Sequence, residues 1–269
     1  MKNLLLFLVF LSVNAVAFDQ IPPKPLSECK AQAPYGMPTG KTGVGICRHG
    51  YATLNDTVAK LPVWGVYVLK PDNALGCIPR SNAFATDASL PKGLAATPGD
   101  YDATGFDRGH NIPDGDQSFD QQAEWESFLM TNMYPQTPSI NRGIWKLLET
   151  SVRGWAVQLN QPLVIYAGPL YDIAQGNTIG PNKVVVPHGF FKVVVNTVTR
   201  EYAAWQFPNE GSLGNDLLTV RVKTAAVSKL AGLKIPLPKG AKELGMDDAW
   251  PIDFGALTRA KRAKCGKDD

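Results

Sequence analysis

Asp107-Arg108-Gly109-His110 places an arginine, a glycine and a histidine side by side. Further on come Asn132-Met133-Tyr134-Pro135-Gln136 and Asn141-Arg142-Gly143-Ile144-Trp145-Lys146-Leu147-Leu148-Glu149. A histidine takes a proton from water near neutral pH, because its unperturbed pKa lies near ~6.5. An arginine offers a permanent charge and a planar fork that matches phosphate oxygens. An amide and a carboxylate among waters suit Mg²⁺, which keeps most of its hydration shell. Together these groups are what cutting a phosphodiester requires.

Read as one regular helix, the segment after Pro138 separates Asn141 from Glu149 by roughly 12 Å along its axis. Both could not easily touch one ion, and an amide ligand from Asn141 with Glu149 holding a metal-bound water is consistent with that distance. On the same helix Ile144, Leu147, Leu148, Val152 and Trp155 form a stripe of i, i+3, i+4 type that should be buried. Ser118-Phe119-Asp120-Gln121 reads as a capping box that starts an earlier short helix through Ala123, Trp125 and Phe128. From Phe128 to Tyr134 the chain should turn extended.

The supporting frame reads as strands. Val63–Leu69 is β-branched and aromatic between Pro62 and Pro71. Leu163–Ala167, Lys183–Val186, Phe190–Val195 and Tyr202–Phe207 follow, separated by Gly-Pro, Pro-His-Gly and Asn-Thr breaks. A last helix should run from about Thr224 to a C-cap at Gly232. Strands in hairpins mixed with a few helices predict an α+β fold with a mostly antiparallel sheet flanked by helices. Residues 72–105 form a long connection holding Arg80, of a length that is uncommon in loops without a function.

These motifs resemble the DNA/RNA non-specific endonucleases of the ββα-metal type. The resemblance adds Arg80-x-x-x-Phe84-x-x-Asp87 upstream, and Gly168-Pro169, Val186-Pro187 and Phe190-Phe191-Lys192 downstream, covering roughly residues 50–235. It implies His110 as general base, Asn141 as the direct Mg²⁺ ligand and Glu149 as support for a metal water. It also implies Arg108 and Arg80 on the pentacovalent phosphate, with Asn132 and Gln136 completing the substrate site. Mn²⁺ would be able to replace Mg²⁺. The implied reaction cleaves DNA and RNA alike, without strong sequence preference, and leaves 5′-phosphate ends. Two rival readings are a phosphodiesterase acting on small nucleotides and a silent nucleic-acid-binding protein; a chance motif in a disulfide-braced inhibitor or adhesin is a third.

The 269 residues are 44% hydrophobic, enough for one substantial core, and the scattered charges argue against global disorder. Lys2, the apolar run Leu4–Leu11 and Ala15-Val16-Ala17 read as an export signal over residues 1–17. No later segment is long and apolar enough to span a bilayer. Export, to periplasm or medium, makes the even set Cys29, Cys47, Cys77 and Cys265 a disulfide framework. Of three possible pairings, Cys29–Cys47 with Cys77–Cys265 is favoured, since it closes one local loop and ties the C-terminus to the core. Their spacing excludes a Cys-x-x-Cys metal or redox motif.

Residues 18–50, rich in Pro and Gly, read as a disulfide-pinned arm, and residues 51–269 as the catalytic domain, with a basic tail from about 236. The net charge is +3, too weak for a nucleic-acid coat, so any polyanion site must be local. Arg259, Lys261, Arg262, Lys264 and Lys267 form the one dense basic cluster, suited equally to a solvated tail and to a DNA contact. Gly36–Thr42 mimics a phosphate loop but has one residue too few between its glycines. Asp114, Asp116 and Asp120 miss the EF-hand spacing and read as a solvated turn. His49 and His188 read as structural, Trp145 as packing, and Asp107 as orienting the site or bonding the turn. Asn55-Asp56-Thr57 is a sequon that matters only in a glycosylating host.

Overall fold

Alternation within the long apolar strands settles how the sheet is covered. The computed structural model describes residues 20–174 and 176–266. The segment read as an export signal and Lys267 lie outside them. In the first half the strands are β1 (Val44–Cys47), β2 (Ala52–Asp56), β3 (Leu61–Leu69), β4 (Asp107–His110) and β5 (Met133–Gln136). In the second half they are β6 (Leu163–Leu170), β7 (Thr178–Ile179), β8 (Val184–Val185), β9 (Gly189–Asn196), β10 (Glu201–Pro208), β11 (Arg221–Val222) and β12 (Lys242–Glu243). The helices are α1 (Pro71–Ala74), α2 (Asp114–Gln117), α3 (Gln121–Ser127), α4 (Pro138–Ile140), α5 (Lys146–Leu159), α6 (Thr224–Ala231) and α7 (Phe254–Cys265).

Among the described residues the main sheet has eight strands in the order β1-β2-β3-β6-β9-β10-β11, with β12 added to β10. The pairings along that order are antiparallel and β12 alone is parallel. The fold is α+β with a mainly antiparallel sheet, as the strand pattern predicts.

Both faces of the sheet are covered, so its central strands are buried along their whole length. Odd positions Tyr67, Leu69, Leu163 and Ile165, with Val194 on β9, face α5, whose Leu148, Val152 and Trp155 complete that layer together with Ile144 just before it. Val66, Val164, Tyr166, Val193 and Val195 face the other way, onto Val227 and Ala231 of α6 and Cys29 and Ala33 near the N-terminus. The strand period of two thus supplies both layers. The expected helical stripe is buried except at Leu147, which is partly exposed.

Three local readings change. The segment read as an irregular arm contributes β1 to the sheet edge, paired with β2 from Val44↔Asn55 to Cys47↔Ala52. The short helix is capped by Asp120, not Ser118: its carboxylate accepts from Gln122 N and Ala123 N at 2.9 and 3.0 Å. The chain also continues past α6, where the basic cluster lies on a further helix, α7. Both favoured disulfides form, Cys29–Cys47 and Cys77–Cys265. No helix among the described residues is long and apolar enough to cross a membrane.

Candidate active site

Two short strands and a helix carry the chemistry. β4 and β5 pair antiparallel from Asp107↔Gln136 to His110↔Met133, and the chain returns through α4 into α5. Between α4 and α5 the backbone widens into a π turn, Asn141–Trp145, with Gly143 at φ −99° and ψ −117°. A single regular helix therefore does not join Asn141 to Glu149, and the 12 Å axial estimate does not apply across Gly143.

One cleft of about 580 Å³ gathers Arg80, Arg108, His110, Asn141 and Glu149. His110 is only 8% exposed, packed edge-on against Phe128 at 4.9 Å and tilted against Phe84 at 5.8 Å. Its backbone carbonyl accepts from the Tyr134 hydroxyl at 3.0 Å, which fixes the strand end. Burial lowers the pKa of the imidazole to about 4, with Asp114 opposing and Arg80 reinforcing the shift. The ring is therefore neutral at physiological pH. Its Nε2 is buried and has no hydrogen-bond partner among the described residues.

Asp107 orients the site, settling one of its two readings. Its Oδ2 accepts from Asn141 Nδ2 at 2.9 Å, and its carboxylate takes a forked bond from Arg142 at 2.8 and 2.6 Å. A carboxylate can only accept, so the amide nitrogen must face it. That leaves Asn141 Oδ1 as the group available to a cation.

The arginines are held by carboxylates and rings. Arg80 pairs with Asp114, bonds Asn82 Oδ1 at 2.7 Å and lies 4.8 Å over the Phe128 ring. Arg108 bonds Asp102 and the Pro98 carbonyl, each at 3.0 Å, and lies 5.2 Å over Phe84. The loop before them is anchored rather than free: Ser81 N donates to Glu124 at 2.7 Å, and buried Asp87 pairs with Arg48 at 2.6 Å and accepts from Thr131.

Asn132 and Gln136 do not line the cleft. Asn132 is fully buried, and its amide is spent on backbone: Nδ2 donates to Ile112 O and Ser127 O, while Oδ1 accepts from Ile112 N at 3.0 Å. It clamps the turn that follows His110. Gln136 is fully buried behind β4, where a Cβ at Gly109 would collide with its side chain. Both side chains are fully buried in this arrangement.

Behind Glu149 lies a buried ionic layer that sequence reasoning missed. Lys192 on β9 is fully buried, 3.8 Å from Glu149 Oε1 and 4.4 Å from the centre of the Trp145 ring. Arg153, one turn beyond Glu149, bonds Asp116 at 2.9 Å, and Asp116 also accepts from the Tyr67 hydroxyl. Burial raises the pKa of Glu149 to about 7 against the pull of Lys192 and Arg153, and lowers that of Lys192. Desolvation outweighs pairing for both. Asp116 is thus a core partner and not part of a solvated turn. Its signal was weak, but that of Lys192 was legible: it is a lysine at an inward position, between Phe190 and Val194.

Arg142, Lys146, Arg153 and Lys261 add to the cleft's cations. The chain's weak net charge is thus concentrated locally into a cationic cleft.

A neutral base, guanidinium groups and a pre-oriented carboxamide around one basic cleft describe a site for a phosphate ester. Comparison with known proteins agrees: the DNA/RNA non-specific endonuclease family matches residues 30–238, and the chain belongs to that family. The match begins earlier than the motifs suggest and includes β1.

Among relatives, the mitochondrial Nuclease 1 of Schizosaccharomyces pombe is 30% identical over 231 residues, 78% of this chain and 71% of its own. A nuclease of Serratia marcescens is 29% identical over 211 residues, 74% of this chain and 78% of its own. Mitochondrial endonuclease G of Bos taurus is 31% identical, covering 61% of this chain and 57% of its own. The fold also matches a chain in a crystal structure of the EndoG/EndoGI complex, with TM-score 0.69, 25% identity, and 77% of this chain and 90% of the other covered.

Proposed function

We propose that this protein is an exported, divalent-metal-dependent endonuclease that hydrolyses DNA and RNA without strong sequence preference and leaves 5′-phosphates. The observation that carries this reading is His110: a neutral imidazole whose Nε2 has no partner among the described residues, at a cleft lined by cations and by an amide that Asp107 has already turned.

His110 accepts a proton from the attacking water. The new P–O bond forms as the bond to the 3′ oxygen breaks, so the phosphate stays on the 5′ side. Arg108 and Arg80 neutralise the charge that gathers on the non-bridging oxygens. Both are aimed by their carboxylate partners and rest on aromatic faces, so little reorganisation is needed. Asn141 Oδ1 and, through water, Glu149 fit a hydrated Mg²⁺, with Mn²⁺ as a substitute. When bound, such an ion supplies charge neutralisation and a proton source for the leaving oxygen. One carboxamide oxygen and one carboxylate are a donor set that suits a largely hydrated ion.

Low specificity follows from the same geometry. The groups in the cleft contact phosphate and metal, and phosphate contacts carry little sequence information. Export is supported by the two disulfides, which persist in oxidising compartments.

The test is cleavage of circular DNA and of RNA by the purified protein, with chelator and then with added Mg²⁺ or Mn²⁺. Expected is cutting of both, stopped by chelator and restored by either ion, with product ends that accept label from kinase only after phosphatase treatment. Full activity in excess chelator, or inactivity on RNA, would overturn the corresponding part of the reading.

A further inference from the structure

A second cavity, of about 410 Å³, adjoins the cleft and shares Arg80, Arg108, Asn141 and Arg142 with it. His110 and Glu149 line the first cavity and not the second. The second space therefore borders the reacting groups without holding a base. Its other walls include Phe84, Phe106, Asp102 and Asp107. Both carboxylates are already engaged, Asp102 by Arg108 at 3.0 Å and Asp107 by Arg142 at 2.8 and 2.6 Å. Arg80, Arg108 and Arg142 outnumber these two aspartates, so the balance in the cavity is cationic.

Arg142 keeps donors beyond its pairing with Asp107. A guanidinium carries five N–H groups. The forked bond takes one from Nε and one from Nη2. The other three belong to a side chain that is 72% exposed, at the junction of the two cavities. Its partner fixes the plane of the group without using it up.

Phe106 is half-buried at the end of a fastened loop. Its backbone N donates to Thr104 Oγ1 at 3.2 Å, and that hydroxyl donates to Tyr101 O at 2.9 Å. Buried Asp100 accepts from Asn182 N at 2.9 Å and holds the turn from behind. Cations beside an aromatic wall suit a ligand with an anion and a flat ring, and every nucleotide has both. The volume lies within the roughly 300–1,000 Å³ of small-ligand sites. Neither Phe106 nor Arg142 is among the residues that the family resemblance implies for substrate.

We propose that the second cavity takes the nucleotide next to the scissile phosphate, with its phosphate on Arg142 and its base against Phe106. This rests on the endonuclease reading. Both residues touch substrate and not the reacting atoms.

The experiment measures binding of a short single-stranded DNA by the His110→Ala protein in chelator, over a salt series. Without metal, the orientation of Asn141 by Asp107 does not enter. Each phosphate neutralised on a single strand contributes about 0.7 to the slope of log K against log salt. Adding Arg142→Gln should lower the slope by about that amount, and Arg142→Lys should restore it. Lys229→Gln on α6, across the sheet, should leave it unchanged. Adding Phe106→Ala should keep the slope and weaken binding roughly 5- to 150-fold, as loss of one stacked base does. The same DNA built from abasic units should bind with and without Phe106→Ala alike. An unchanged slope in Arg142→Gln, or an equal loss on normal and abasic DNA in Phe106→Ala, overturns the proposal.

If Phe106→Ala does not fold, Phe106→Trp decides. Quenching by the DNA of the emission this variant adds to the parent's supports the contact, and unquenched emission refutes it. Failure of the unaltered protein to cut any nucleic acid would remove the endonuclease reading itself. Normal cutting with either overturning result would remove only the role of the second cavity.

Discussion

The two faces of the central sheet are built from the same strands by opposite rules. Under α6 the layer is apolar: Val66, Val164, Tyr166, Val193 and Val195 meet Val227 and Ala231. Under α5 the corresponding layer carries Glu149, Lys192, Arg153 and Asp116 among its tryptophans. Removing a charge from water costs several kcal/mol even after pairing, and a well-packed apolar residue is often the more stable choice. Lys192 still has no hydrogen bond to its Nζ among the described residues, at 3.8 Å from its carboxylate. The α6 face is therefore apolar throughout, while the α5 face sets a charged layer within its apolar packing and gives up stability there to shape the electrostatics of the cleft. Substitutions on the two faces should separate accordingly.

The largest effect falls on the cleft. His110→Ala should lower turnover on the order of a hundred- to ten-thousand-fold with little change in folding at neutral pH. Cleavage rates and near-ultraviolet circular dichroism of the purified variant check both halves. Leu170→Ala, on the apolar face, should do the reverse. It removes a side chain only 1% exposed and should cost roughly 2–5 kcal/mol in a denaturant titration while turnover at low temperature stays unchanged.

Acid stability sharpens the comparison further. The pKa of His110 in the folded protein, about 4, lies below the unfolded value of 6.5. The unfolded chain thus binds the proton more readily. The stability tied to neutral His110 is complete above pH 6.5 and is lost as pH falls to about 4. At about 1.4 kcal/mol per unit, the loss is on the order of 3 kcal/mol. His110→Ala should remove this part of the acid sensitivity, read as a smaller drop in unfolding free energy between pH 7 and pH 4. An equal drop in both proteins would mean that the imidazole is not held neutral by burial.

An effect of similar size and opposite sign concerns Glu149, whose folded pKa of about 7 lies above the ordinary value of 4.5. The stability linked to its proton is complete below pH 4.5 and fades as pH rises through about 7. Glu149→Gln should therefore gain thermal stability relative to the parent at pH 8 but not at pH 4, while losing activity. Loss of stability at pH 8 would show that the Lys192 pair outweighs desolvation.

What was legible in the chain follows the same division. The apolar strands announce themselves because β-branched and aromatic runs need both faces covered, so Val63–Leu69 and Phe190–Val195 fall within β3 and β9. β4 does not, because its Asp-Arg-Gly-His sequence has no apolar alternation and pairs through backbone alone. The motif brought Arg80, Arg108, His110, Asn141 and Glu149 to one cleft, since their side chains must converge on the reacting group. It could not separate them from Asn132 and Gln136, which hold the hairpin from behind. α7 was hidden by its poor apolar stripe, although Asp253 at its start and Gly266, at φ 71°, at its end are readable caps.

Chemical rescue of the base tests the central claim most directly. Imidazole added to folded His110→Ala protein with Mg²⁺ and circular DNA should recover part of the lost rate, increasingly with the neutral imidazole concentration. The same addition should leave Glu149→Gln unchanged. Turnover of His110→Ala close to that of the parent, with no imidazole present, would contradict the account.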